Sequence, residues 1–260
     1  MKKKKKIRNQ LYTSVLLVLM ALVAVTAATV AWFSIADNTK VRSMSLDIMT
    51  DVDLRMDLDA HSSIEQYVKT LSFESIAARI QQEKGFSVQE TPLKPVTTTD
   101  CNIFSFENGS TVESTSGSYL EFTLHFMAEK DMVVHLTSAN SSDTVEDGTL
   151  VSSGNSQLPQ AMRISFSTDN QNWVYDPGMG DSLQNSGNLR SFGLNSPSGM
   201  RISDNNALFF LKQGQDKAVV VHIWMEGTDE ACTDELQSAD YSIRLRFTGT
   251  DEEGNTFSGQ

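Results

Sequence analysis

The chain has 260 residues, a formal net charge of −12 and 39 % hydrophobic residues, enough apolar material to build a core and to exclude wholesale disorder. Six of its 21 basic residues (Lys2 to Lys6 and Arg8) fall in the first ten positions, which leaves 15 against 33 acids and a net charge of −18 beyond them. An acidic body of this kind repels nucleic acid and anionic lipid, so no nucleic-acid partner is expected.

Residues 1–10 read as a short basic cytoplasmic segment. Leu11 to Phe33 then runs 23 residues without a charge. At about 1.5 Å per residue a helix of that length crosses the roughly 30 Å hydrocarbon core. The basic run before it keeps Met1 in the cytoplasm and sends the C-terminus out, to the cell surface or the extracellular space. Small residues suit signal cleavage after Ala27, Ala28 or Ala31. The segment therefore reads as a signal peptide or as a membrane anchor, and residues 34–260 as one extracellular domain.

Lys40 to Asp59 alternates apolar residues (Val41, Met44, Leu46, Ile48, Val52, Leu54, Met56, Leu58) with acids and arginine, the mark of strands with one wet face. Ser62 and Ser63 followed by Glu65 and Gln66 make a capping-box pattern, and one or two short helices are expected over 63–84, closed by Gly85. After the breaker Thr91 to Pro95 the chain reads as β. Tyr119 to Met127 and Met132 to Leu136 predict a hairpin. Residues 138–157 read as loop, and Ala161 to Ser167 turns back into Trp173 to Tyr175. Asp176 to Asn206 reads as a long, Gly- and Pro-rich loop of the kind that carries function. Ala207 to Leu211, Ala218 to Met225 and Tyr241 to Thr248 complete the strands. Short strands, frequent turns and few helices predict a mainly β protein, an antiparallel β-sandwich or jelly roll, with the apolar helix at its N-terminus.

Cys101 and Cys232 are the only cysteines. Outside the cytoplasm two cysteines most simply form one disulfide, the alternatives being free thiols or an intermolecular bridge. No histidine stands at zinc-ligand spacing from them, so no metal site of that kind is expected. Asp229, Glu230, Asp234 and Glu235 follow a strong strand and offer oxygens for calcium, without the spacing of an EF-hand. His125, His135 and His222 fall opposite the most apolar strand positions and read as surface histidines. Trp173, Tyr175 and Trp224 read either as packing residues or as a sugar platform. No H-E-x-x-H and no G-x-S-x-G occurs, and no catalytic residue is assigned. A secreted hydrolase would need a pocket gathering His125 or His222 with a carboxylate and a nucleophile.

Two stretches carry a resemblance. The basic start, the apolar segment, Ala31-Trp32-Phe33-Ser34 and Ser45-Leu46-Asp47-Ile48 resemble the camelysin/TasA group of Gram-positive surface and biofilm-fibre proteins, with Met44 and Ser45 where that group has a glycine. Ile223 to Asp229, Cys232-Thr233-Asp234 and Tyr119 to Phe122 are similar to uncharacterised signal-anchored surface proteins of Firmicutes. The resemblance covers about a quarter of the chain and implies a jelly roll with a surface or biofilm-matrix role. The expectation is a non-enzymatic surface or matrix protein, self-assembling through the 41–58 strand. The alternative is a tethered module that binds a glycan or a surface protein through the 176–206 loop.

Overall fold

A computed structural model of the chain describes residues 14–21, 42–50, 53–137, 148–168, 171–180, 183–186, 189–194, 207–236, 239–255 and 257. Helix α1 covers 14–21. The first half of the domain holds β1 (Arg42–Thr50), β2 (Leu54–Asp57), β3 (Thr70–Leu71), α2 (Phe73–Lys84), β4 (Pro95–Thr98), β5 (Phe104–Ser105), β6 (Thr111–Val112), β7 (Leu120–Ala128) and β8 (Met132–Leu136). The second half holds β9 (Leu150–Ser153), α3 (Leu158–Ala161), β10 (Met162–Thr168), β11 (Gln171–Tyr175), β12 (Leu183–Ser186), β13 (Leu189–Phe192), β14 (Ala207–Leu211), β15 (Lys217–Glu226) and β16 (Asp240–Thr250).

These strands form two sheets. The smaller has six strands in the order β14-β8-β16-β1-β3, with β9 also paired to β16; the larger has ten, β12-β13-β11-β10-β15-β4-β5-β6, with β7 on β15 and β2 on β7. The alternation read from the sequence turns one face of each sheet inward. Leu120, Phe122, Leu124 and Phe126 of β7 and Val219, Val221, Ile223 and Met225 of β15 share one core with Ile243, Leu245 and Phe247 of β16. Phe126 lies 5.0 Å from Phe247 and 5.3 Å from Phe209 between ring centroids, which knits the two layers together. Each fully buried side chain of this size stabilises the fold by about 1.5–3 kcal/mol.

The 12-residue helix α2 shows how local signals work. Ser72 accepts a hydrogen bond from Ser75 N, Glu74 and Lys84 oppose the helix dipole, and Gly85 closes the helix at φ 84°. Phe73, Ile76 and Ile80 form its buried stripe, and the helix packs against β7 and β1.

Several expectations are corrected. The sheets are mixed: β1 and β16, β11 and β13, and β15 and β4 run parallel. β7 and β8 are not a hairpin, because Ala128 pairs with Leu54 in the larger sheet while β8 pairs with β14 and β16 in the smaller. The 128–131 turn is thus a crossover between layers. The Ser62–Ser63 capping pattern yields only a 3-10 turn at Ile64–Gln66. The chain there becomes extended, since Met56 and Val68 exchange both backbone hydrogen bonds at 2.8 and 2.9 Å. Tertiary pairing overrides the local helix signal. The expected loops at 138–157 and 176–206 contain β9 and the β12–β13 hairpin, which extend the smaller and the larger sheet.

Helix α1 leaves Val15 to Met20 exposed at 51–63 %. Among the described residues no helix is long and apolar enough to cross a membrane. The rest of 11–33, and with it Ala27, Ala28 and Ala31, lies outside the described residues.

Candidate functional site

The outward face of the larger sheet carries a polar row. Ser165 of β10 stands opposite His222 of β15, and His222 stands opposite Glu121 of β7. Residues in register on adjacent strands share a face, so three chemically active side chains line up across three strands. Ser165 Oγ lies 3.0 Å from His222 Nδ1. His222 Nε2 lies 3.3 Å from Glu121 Oε2. Lys84, at the end of α2, pairs with the other Glu121 oxygen.

The hydrogen bond from His222, and then that from Lys84, hold the Glu121 carboxyl down at about 2, against the cost of its burial. Glu121 is therefore ionised throughout the neutral range. A carboxylate at Nε2 is matched by the tautomer that donates from Nε2 and accepts the Ser165 hydroxyl proton at Nδ1. Hydroxyl, imidazole and orienting carboxylate then stand in the order of a nucleophile, its base and the group that positions the base.

Residues 95–118 cover this row. The excursion leaves and returns between α2 and β7, and Lys94 N donates to Ser118 O at 3.2 Å across its base. Its inner side supplies Val96, Cys101, Phe104 and Val112 to a small second core with Tyr119, Val174 and Trp224. Phe104 stacks on Tyr119 at 4.0 Å, stands edge-on to Trp224 at 5.4 Å and lies 5.2 Å from the His222 ring. Ser165 is consequently 0 % and His222 5 % exposed. The hydroxyl therefore meets no solvent. The structure thus gathers His222, a carboxylate and a nucleophile beneath residues 95–118.

The expected disulfide is absent. Cys101 and Cys232 are free thiols. Cys101 lies on the inner side of the cover, 1 % exposed, and burial pushes its thiol up to about 11. Cys232 packs against the main core instead. Burial, with Asp229, Glu226 and Glu107 nearby, pushes it up to about 12. The two cysteines belong to different apolar clusters. Cys101 is the only non-glycine residue at positive φ (58°) among the described residues. Its turn is fixed by Asp100 Oδ1, which accepts from Asn102 N and Ile103 N, each at 2.9 Å.

The calcium candidates do not converge. Arg163 binds Asp229 and also Asp176 (3.0 Å), while Asp229 Oδ1 accepts from Ala231 N. Glu230, Asp234 and Glu235 face solvent. Among the described residues no group of three or more His, Cys, Asp or Glu side chains is arranged to hold a metal ion. The sugar platform is likewise corrected, since Trp173, Tyr175 and Trp224 are 2 %, 4 % and 2 % exposed. His222 and His135 are buried rather than on the surface, His135 Nε2 lying 3.2 Å from Thr250 Oγ1. His125 pairs with Asp216 at 2.9 Å. Asp216 also accepts from Tyr67 Oη at 2.7 Å.

Sequence reasoning missed Ser165, Glu121, Lys84 and Arg163. The available signal was a polar residue set among apolar ones on a strong strand. Without the strand order nothing joined Glu121, Ser165 and His222. No protein-family model, curated protein or solved structure matches this chain.

Proposed function

We propose that the chain is a surface or matrix protein that assembles with copies of itself through β1, and that in its closed form it is not an enzyme. One observation supports this most. Among the described residues β1 is the first strand after the apolar segment, and it lies parallel to β16, from Arg42 opposite Asp240 to Thr50 opposite Phe247. The next strand, β2, belongs to the other sheet, and only residues 51–53 join the two. β3 meets β1 at Ile48 and Met49 alone, so among the described residues Arg42–Asp47 pair on the β16 side only.

A strand tethered at one end and paired along one side can leave its own sheet. It then takes the same place beside β16 of a neighbour, as in β-strand addition. Passed onward from chain to chain the contact is head-to-tail and propagates into filaments, whereas reciprocal exchange between two copies closes a dimer. The two-layer arrangement fits the jelly roll implied by the camelysin/TasA resemblance. On this reading residues 11–33 deliver the domain to the outer face of the membrane, either as a cleaved signal or as an anchor. The burial of Trp173, Tyr175 and Trp224 favours assembly over glycan binding.

Removal of residues 1–31 should give protein that forms filaments or a ladder of oligomers as its concentration rises. A strictly monomeric species at high concentration, with β1 amides protected from exchange, would sink the proposal.

A further inference from the structure

The row under the 95–118 cover offers more than packing. We infer that Ser165, His222 and Glu121 form a latent acyl-transfer site, closed in this conformation and reactive towards apolar esters once the tip of the cover lifts. This adds to the assembly role and does not depend on it.

Three features carry the inference. The first is the chain of contacts itself, 3.0 Å from Ser165 Oγ to His222 Nδ1 and 3.3 Å from His222 Nε2 to Glu121, with Lys84 holding the carboxylate from behind. A carboxylate on the far nitrogen of the histidine orients the imidazole and stabilises it once it takes a proton.

The second is the construction of the cover. It is attached to the larger sheet by a short parallel pairing, Met225 with Pro95 and Glu226 with Val96, and its base closes at Lys94 and Ser118. Beyond that base the tip is held by a hydrogen bond of 2.9 Å from Asn172 Nδ2 to Asp100 O, and by the packing of Cys101, Phe104 and Val112. Gly117 sits at the return of the excursion with φ 71°.

The third is what lifting the tip uncovers. Withdrawing Cys101, Phe104 and Val112 leaves the hydroxyl and imidazole at the floor of a groove walled by Tyr119, Val174 and Trp224. Aromatic and aliphatic walls suit an ester with an apolar acyl group. In the reaction the Ser165 hydroxyl attacks the ester carbonyl while His222 Nδ1 takes its proton. Collapse of the adduct breaks the ester C–O bond, His222 returns the proton to the departing alcohol, and acyl-Ser165 remains. Water, deprotonated by the same imidazole, releases the carboxylic acid and restores the hydroxyl.

The test uses the full-length chain in detergent micelles with two probes, p-nitrophenyl butyrate and a fluorophosphonate that reacts with nucleophilic serines. Phe104→Ala loosens the tip, and Asn172→Ala releases it by another route should the first variant fold poorly. Peptide mass spectrometry should place the phosphonate on Ser165 in the loosened variant and not in the closed wild type. Adding His222→Gln should slow labelling by about 100-fold or more, the usual worth of a general base, and Ser165→Ala should abolish it together with ester hydrolysis. The inference is overturned if both loosened variants fold, open the Cys101 thiol, 1 % exposed in the closed form, to iodoacetamide and still take no label at Ser165. Labelling that is indifferent to His222 overturns it equally.

Discussion

Replacing Glu121 with glutamine keeps the shape of the side chain and removes its charge, and the structure fixes how much that should matter. Glu121 sits between His222 and Lys84 with its side chain 26 % exposed, and these partners bring its carboxyl from 4.5 to about 2. At about 1.4 kcal/mol per pH unit this corresponds to at most ~3.5 kcal/mol of folding free energy. Partial solvent screening reduces the figure to about 2 kcal/mol. The sign follows from the direction of the change. A carboxyl depressed in the folded state contributes fully above its unfolded value, near 4.5, and loses that contribution as pH falls towards about 2. Urea unfolding of wild type and Glu121→Gln at pH 7 should therefore differ by about 2 kcal/mol, and the gap should shrink steadily below pH ~4.5. Equal stability at pH 7, or a gap that stays constant down to the acid limit, would refute the ionic role assigned to the row.

Other perturbations should sort by cause. Arg163→Ala strips the cation from between Asp176 and Asp229, both less than a quarter exposed, and should cost about 3–5 kcal/mol by chemical denaturation. Gly117→Ala should cost about 2–4 kcal/mol, because a Cβ there would lie 2.4 Å from Thr91 Cγ2 at φ 71°; Gly85→Ala, with φ 84° but open space around it, should cost only about 1 kcal/mol. Both cysteines should resist iodoacetamide at pH 8 in the native protein, about 100-fold or more relative to the unfolded chain, and the intact mass should show no loss of two protons.

Much of the architecture was legible in the chain, for reasons that can be named. The inward stripe of β7, Leu120 to Phe126 by twos, follows from period-two alternation, and so does that of β15 from Val219 to Met225. Gly85 announced the end of α2. The turn at 168–172 gave the β10–β11 hairpin. What failed was pairing. The turn at 128–131 looks like a hairpin turn, yet the buried end of β7 crosses between layers, and nothing local says that Ala128 will meet Leu54. The capping box at Ser62 lost to the bridge between Met56 and Val68, which is distant in sequence.

The candidate site was hidden for the same reason. Glu121 and Ser165 each stand between inward apolar neighbours, Leu120 and Phe122, and Ile164 and Phe166, and His222 read as a surface histidine. That face is dry because residues 95–118 fold over it, and this stretch looked only like irregular β. The disulfide expectation rested on compartment alone. It took no account of which apolar cluster each cysteine would join.

The central claim, that β1 is exchangeable between copies, is tested most directly by a cross-link placed on the β1–β16 register. Ser45 stands opposite Ser242, so cysteines at both positions, with Cys101 and Cys232 replaced by serine, lie within disulfide reach wherever β1 is docked. After assembly of the protein lacking residues 1–31 and mild oxidation, a non-reducing gel should show a ladder of covalently joined chains. Cross-linked product that runs entirely as monomer would mean that each β1 stays in its own sheet, and would contradict the account.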